Sequence, residues 1–189
     1  MERFNDFTYD KVNYEGLPEF VQEVHDLGMH YVQIFDPAVS GSEAPGTYPP
    51  YDDGKAMDIF VKNSTGQEFV GKVWNSKTSI FPDFTHPLAG RWWAKQMKRY
   101  IDEVPIDGAW IDMNEPANFF AGQIDRVTGK YSWATGCPWD NELEKLEYIP
   151  GDPYYPQRVT MCFSNQQYLG PHYNLHNMYA IYEAKATKE

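Results

Sequence analysis

With 189 residues the chain can bury one real core, and 42% hydrophobic with 16% aromatic content excludes a disordered polymer. A net charge of −11 without a basic cluster argues against nucleic acid and against anionic membrane surfaces as partners. No apolar run nears the roughly 20 residues of a membrane span. The aromatic excess suits either a dense core or a site where rings stack on sugar faces.

The first residues, Met1 to Asp6, lack an apolar targeting core and run straight into Phe7-Thr8-Tyr9. Leu17, Phe20, Val21, Val24 and Leu27 fall on one face at helical spacing, with Pro18 in the first turn and Gly28 at the stop. A short strand follows over 30–35, ended by Asp36-Pro37. Asp36 is then either a turn-initiating residue before proline or an acid presented at a strand end. Residues 37–57 read as a long loop, ordered by Tyr48 and Tyr51. Two strand-like pieces, 58–62 and 69–74, flank an Asn63-Ser64-Thr65-Gly66 turn, so 37–80 reads as a loop and hairpin insertion. The same Asn63-Ser64-Thr65 is a glycosylation sequon. Trp74 closes the second piece. Thr85-His86-Pro87 opens a helix to about Ile101 whose apolar face includes Trp92, Trp93, Met97 and Tyr100.

Gly108-Ala109-Trp110-Ile111 is the next strand, and it runs into Asp112, Asn114, Glu115 and Pro116. A buried strand that ends in two carboxylates and an amide needs a reason, because an unpaired buried carboxylate is costly. Those acids either cap a loop and pair with cations, or they carry chemistry. Helix, strand, loop, hairpin, helix, strand is the alternation of parallel βα units. Acids at strand C-termini favour a (β/α) barrel over a doubly wound sheet. From 118 to 170 no helical period holds. Cys137 and Cys162, the only cysteines, either pair in an oxidising compartment or stay as buried thiols; they are too few for structural zinc without histidines. His172 and His176 are four apart and could share a face toward a metal, but no zincin-type glutamate accompanies them.

Trp110-Ile111-Asp112-Met113-Asn114-Glu115-Pro116 resembles the signature of glycoside hydrolase family 31, the α-glucosidases. Gly71-Lys72-Val73-Trp74 with Phe81-Pro82-Asp83-Phe84 resembles a second block, and His172 to Tyr179 a third. The likeness runs from Met1 to about Glu183 and departs over 122–135 and 152–156. It implies a (β/α)8 TIM barrel, an α/β fold of which residues 1–189 would supply about the second to fourth units with long βα-loop insertions. It implies Asp112 as the nucleophile of a retaining hydrolase and Glu115 as a supporting carboxylate. Ile34, Trp74, Trp110 and Met113 would line the sugar subsite, with Asp36 beside it.

The resemblance also implies a disulfide between Cys137 and Cys162, which would close a loop over 118–170. With the sequon, that favours the secretory pathway. Neither cofactor nor metal is implied. The expected partners are an α-glucoside oligosaccharide or polysaccharide and the remainder of the catalytic domain. The family's acid/base, arginine and late histidine lie on later strands, so the chain reads as an internal piece that does not turn over alone. A carbohydrate-binding module or an inactive homologue is the competing reading.

Overall fold

A computed structural model describes residues 1–146 and 159–188. The departure noted over 152–156 lies outside those residues. Helix α1, Leu17–Asp26, starts with proline in its first turn and stops where Gly28 takes φ 74°. Its expected apolar face is only half covered: Val21 is fully buried, while Phe20 and Leu27 are exposed. Strand β1, Val32–Phe35, follows.

The segment expected to be loop and hairpin carries more structure than its sequence shows. It holds β2 (Val39–Ser40), helix α2 (Pro49–Ala56), β3 (Val70–Gly71) and β4 (Ser79–Ile80). The three strands form an antiparallel sheet in the order β2-β4-β3. Helix α2 has two leading prolines, two adjacent aspartates and a glycine, so no apolar period marks it. Tertiary contacts hold it instead. Trp92 Nε1 donates to the Pro50 carbonyl at 2.9 Å. Asp53 accepts from Lys95 at 3.0 Å, Gln96 at 3.1 Å, and Arg99. The expected turn is present, with Asn63 N–H on the Gln67 carbonyl and Gly66 at φ 84°. The strands expected on either side shrink to isolated bridges, Phe60 to Pro82 and Lys62 to Glu68, before β3.

Helix α3, Ala89–Ile101, begins later than the sequence suggests. Asp83 Oδ1 accepts both the N–H and the hydroxyl of Thr85, which shapes 83–88 as a turn first. Its apolar face is the centre of the core: Trp92 and Trp93 are fully buried, with Phe7 and Phe84 edge-on to Trp93 at 5.2 and 5.3 Å. Strand β5, Gly108–Ile111, then pairs in parallel with β1, Val32 opposite Gly108 through Phe35 opposite Ile111. Parallel pairing requires the long crossover that the intervening segment supplies.

Beyond β5 lies a hairpin, β6 (Gly122–Ile124) and β7 (Tyr131–Gly136), where no regular element was expected. A 3-10 turn follows over Glu142–Glu144. A small pair, β8 (Gln166–Gln167) and β9 (Gly170–Pro171), leads into α4 (His172–Leu175) and α5 (Tyr179–Lys188). Helix α5 packs on α3 and β5.

Candidate active site

The site is set by the register of β1 and β5. Phe35 lies opposite Ile111, and Asp112 N–H donates to the Phe35 carbonyl at 3.1 Å. The next residue on each strand is an aspartate, so Asp36 and Asp112 leave the sheet side by side. Ile34 lies opposite Trp110 in the same register.

After Asp112 the backbone turns sharply. Met113 sits in the left-handed region at φ 56°, where a side chain is disfavoured. Its N–H donates to Asp112 Oδ1 at 2.8 Å, and its carbonyl accepts the Ala117 N–H at 2.9 Å. The turn therefore fixes the Asp112 carboxylate and aims the thioether. Trp74 Nε1 donates to Met113 Sδ at 2.8 Å, and Phe119 meets the Trp74 ring edge-on at 4.8 Å. Trp74, Trp110 and Phe119 are 55%, 56% and 42% exposed, enough to offer ring faces to a ligand. Glu115, three residues past Asp112, is exposed.

Asp36 is the perturbed acid. It is buried, and burial, followed by the charges of Asp112 and Glu115, raises its pKa to about 6. Its N–H donates to Asp6 Oδ1 at 3.0 Å. Asp6 is itself buried, and burial and then Asp36 push its carboxyl well above the usual range. Sequence reasoning missed Asp6, which carries no motif.

Asn118 was also missed. It is fully buried and clasps three segments. Its Oδ1 accepts Lys72 N–H at 2.8 Å, and its Nδ2 donates to the carbonyls of Phe120 at 2.7 Å, Gly122 at 2.8 Å and Thr160 at 3.4 Å. A Cβ on Gly71 would come within 2.7 Å of that Oδ1, so the glycine before Lys72 is required by the clasp. Through it the segment running from β3 to Trp74 is tied to the loop after Asp112.

Cys137 and Cys162 form a disulfide with Cα atoms 5.3 Å apart. Beside it, buried Glu144 accepts the N–H groups of Phe163 at 3.2 Å and Ser164 at 2.7 Å. Asn63 is 7% exposed; its Oδ1 accepts from Thr65 and Gln67, and its Nδ2 donates to Gln123 Oε1 at 3.1 Å. A glycan there needs that nitrogen released. Asn63 borders a cavity of about 910 Å³ with Glu68, Gln123, Arg126 and Trp139, away from Asp112. His172 is fully buried, with Nδ1 3.0 Å from Gln167 Nε2 and Nε2 3.1 Å from His176 Nδ1. Burial and then the neighbouring His176 lower its pKa to about 3.

Parallel strands ending in adjacent carboxylates, with an aromatic cup beside them, define a barrel-type site. The whole chain, residues 1–189, matches the model of the glycosyl hydrolases family 31 TIM-barrel domain, and the chain belongs to that family. It is 44% identical over 188 residues to the lysosomal alpha-glucosidase of Bos taurus, covering 99% of this chain and 19% of that protein. It is 42% identical over 193 residues to the intestinal sucrase-isomaltase of Oryctolagus cuniculus, covering 100% of this chain and 10% of that one. The crystal structure of a Tris-bound glucosidase II alpha subunit superposes with a TM-score of 0.71 at 23% identity, over 99% of this chain and 16% of that one. The chain thus spans a fifth or less of the length of these relatives.

Proposed function

We propose that this chain carries the nucleophile side of a retaining, exo-acting α-glucosidase site. The substrate would be a terminal α-1,4-linked glucose on maltose, a longer oligosaccharide, starch or glycogen. The observation that carries the reading is Asp112 itself: a carboxylate at the end of a parallel strand, fixed by its own following N–H, beside the Trp74–Met113–Phe119 group. Relatives named as α-glucosidases support the substrate class.

In the double displacement, an Asp112 oxygen attacks the anomeric carbon as the bond to the leaving oxygen breaks. A proton must reach that oxygen. Water then attacks the anomeric carbon of the glycosyl ester, giving its proton to the group that protonated the leaving oxygen; the bond to Asp112 breaks, and the sugar leaves with retained configuration and Asp112 restored. The proton donor must face Asp112 across the scissile bond, at roughly 5 Å in retaining enzymes. Asp36 stands beside Asp112 on the neighbouring strand end, and Glu115 three residues along the same loop. Neither position faces it across a bound sugar, so we assign the acid/base to a carboxyl outside this set. Asp36, raised to about 6, is suited to a hydrogen bond with a sugar hydroxyl beside the nucleophile. Trp74, Trp110, Met113 and Ile34 would shape the subsite, and Glu115 would support it.

The disulfide, the sequon and the lysosomal and intestinal names of the relatives favour the secretory pathway. No helix among the described residues is long and apolar enough to cross a membrane.

The test is covalent labelling. The natural polypeptide that carries these residues is treated with a fluorinated α-glucosyl inhibitor and digested. A glycosyl adduct on Asp112 is expected, as is loss of almost all turnover in Asp112→Asn. An unlabelled Asp112 in folded protein that still binds glucosides would overturn the assignment in favour of a binding module. The 189 residues alone are expected not to turn over; measurable hydrolysis by them would place the acid/base within this chain.

A further inference from the structure

Helix α5 presents Tyr179, Glu183 and Ala186 to the interior, a packing face with a carboxylate in its middle. Glu183 is fully buried, and neither of its oxygens makes a well-aligned hydrogen bond among the described residues. A leucine would fill that face without the cost of an unpaired polar group. The acid therefore needs a reason other than packing.

Its surroundings supply one. Helix α5 packs against β5, the strand that ends at Asp112. The Asn114 side chain, two residues past Asp112, comes close enough to Glu183 to stabilise its charged form. Asp36, beside Asp112, repels it. Asp6 senses both Asp36 and Glu183. Tyr179, one turn earlier on α5, also senses Glu183, but its hydroxyl donates to the Pro82 carbonyl at 2.8 Å and makes no hydrogen bond to Glu183. Three buried acids thus cluster near the nucleophile's strand end; the chain's N-terminal ammonium, near Asp6, is the one cation among the main influences on them, and no described lysine or arginine is. Burial raises Glu183 to about 8, so at neutral pH it is a neutral acid able to donate a hydrogen bond. The Asn114 amide, which carries both a donor and an acceptor, is the side chain that comes within reach of it.

We propose that Glu183 is a positioning residue for the catalytic loop: its buried carboxyl, on the helix packed against β5, backs Asn114 and so fixes the turn that aims Asp112. The loop needs such a hold. Its Met113 sits at φ 56°, a conformation that persists only when its surroundings impose it. The proposal rests on the α-glucosidase reading only for its kinetic readout.

The test compares Glu183→Gln with Glu183→Leu in the natural polypeptide. Glutamine keeps a neutral donor, and leucine fills the volume without one. Glu183→Leu should lose about 100-fold in kcat with KM within about twofold, the cost of a small misplacement of a catalytic group. Glu183→Gln should stay within about fivefold of wild type. Amide exchange at Met113 and Ala117 reports on the loop even if no glucoside is turned over. It should quicken about tenfold in Glu183→Leu and stay unchanged in Glu183→Gln.

Wild-type kcat in Glu183→Leu, or exchange unchanged in it, overturns the proposal. So does a Glu183→Gln as impaired as Glu183→Leu, which would mean that the charge and a cation elsewhere are what matter. If Glu183→Leu does not fold, Asn114→Ala carries the test. It should show the same kcat loss at unchanged KM and the same faster exchange at Met113; wild-type behaviour overturns the idea. A wild type that fails to label at Asp112 sinks the α-glucosidase reading and leaves the exchange comparison standing.

Discussion

Asp36 shows how a residue can be legible as chemistry and ambiguous as structure. The Asp-Pro pair reads as a turn, and the strand before it reads as a barrel strand; the register with β5 puts it next to Asp112. Its stability consequence follows from its raised pKa. Between its ordinary value of 3.8 and about 6 the folded state holds a proton that the unfolded state has lost. Stability therefore falls as pH rises through that window, and the cost is complete above it. The shift corresponds to a cost on the order of 3 kcal/mol. Asp36→Asn should raise the thermal midpoint at about pH 7.5 and leave it nearly unchanged below about pH 4, a comparison that differential scanning calorimetry makes directly. Equal shifts at both pH values would show that the substitution acts through packing and not through the ionisation of Asp36. Asp6 has no such sequence mark. Its role is visible only once the chain folds and brings it to the Asp36 N–H, because no local spacing connects residues 6 and 36.

Among elements, α3 was readable because its apolar residues recur at helical spacing, whereas α2 was not because tertiary contacts hold it. The bond from Trp92 Nε1 to the Pro50 carbonyl joins the two. Trp92→Phe should cost about 1 kcal/mol for the lost bond plus whatever volume is not refilled, and Trp92→Ala about 3–5 kcal/mol. Limited proteolysis should cut 49–56 before any other described segment in Trp92→Phe, since that helix has little apolar surface of its own. A Trp92→Phe chain cut at the wild-type rate there would mean that the Asp53 ion pairs hold α2 without the indole. The β1–β5 pair was readable for the opposite reason: each strand is a short, mostly apolar run closed by an acid. The β6–β7 hairpin was not, because β6 is only three residues long and the Tyr131-Ser132-Trp133 alternation of β7 stops after three residues.

For the molecule as a whole, the two devices that point to an oxidising compartment make separate demands on the order of events. The disulfide links residues 25 apart and is worth about 3.5 kcal/mol on the chain-entropy model. It also stands beside Glu144, which binds the Phe163 and Ser164 N–H groups. Cys137→Ser should therefore loosen the Glu144 contacts with Phe163 and Ser164 and lower the thermal midpoint, while leaving the Phe35–Ile111 register and Asp112 labelling in place. The sequon works the other way. Asn63 Nδ2 donates to Gln123, sixty residues later, and the side chain is 7% exposed. An enzyme that glycosylates asparagine needs that nitrogen in an extended, accessible segment, so attachment has to come before the Asn63 turn meets β6. Chain made in a secretory host should then carry a mass at Asn63 that endoglycosidase removes and that Thr65→Ala abolishes. Folded, unglycosylated chain offered to the same transferase in vitro should stay unmodified until it is denatured. Modification of the folded chain at the rate of the denatured one would mean that the Asn63–Gln123 contact opens readily, and that the adjoining 910 Å³ cavity gives the transferase access.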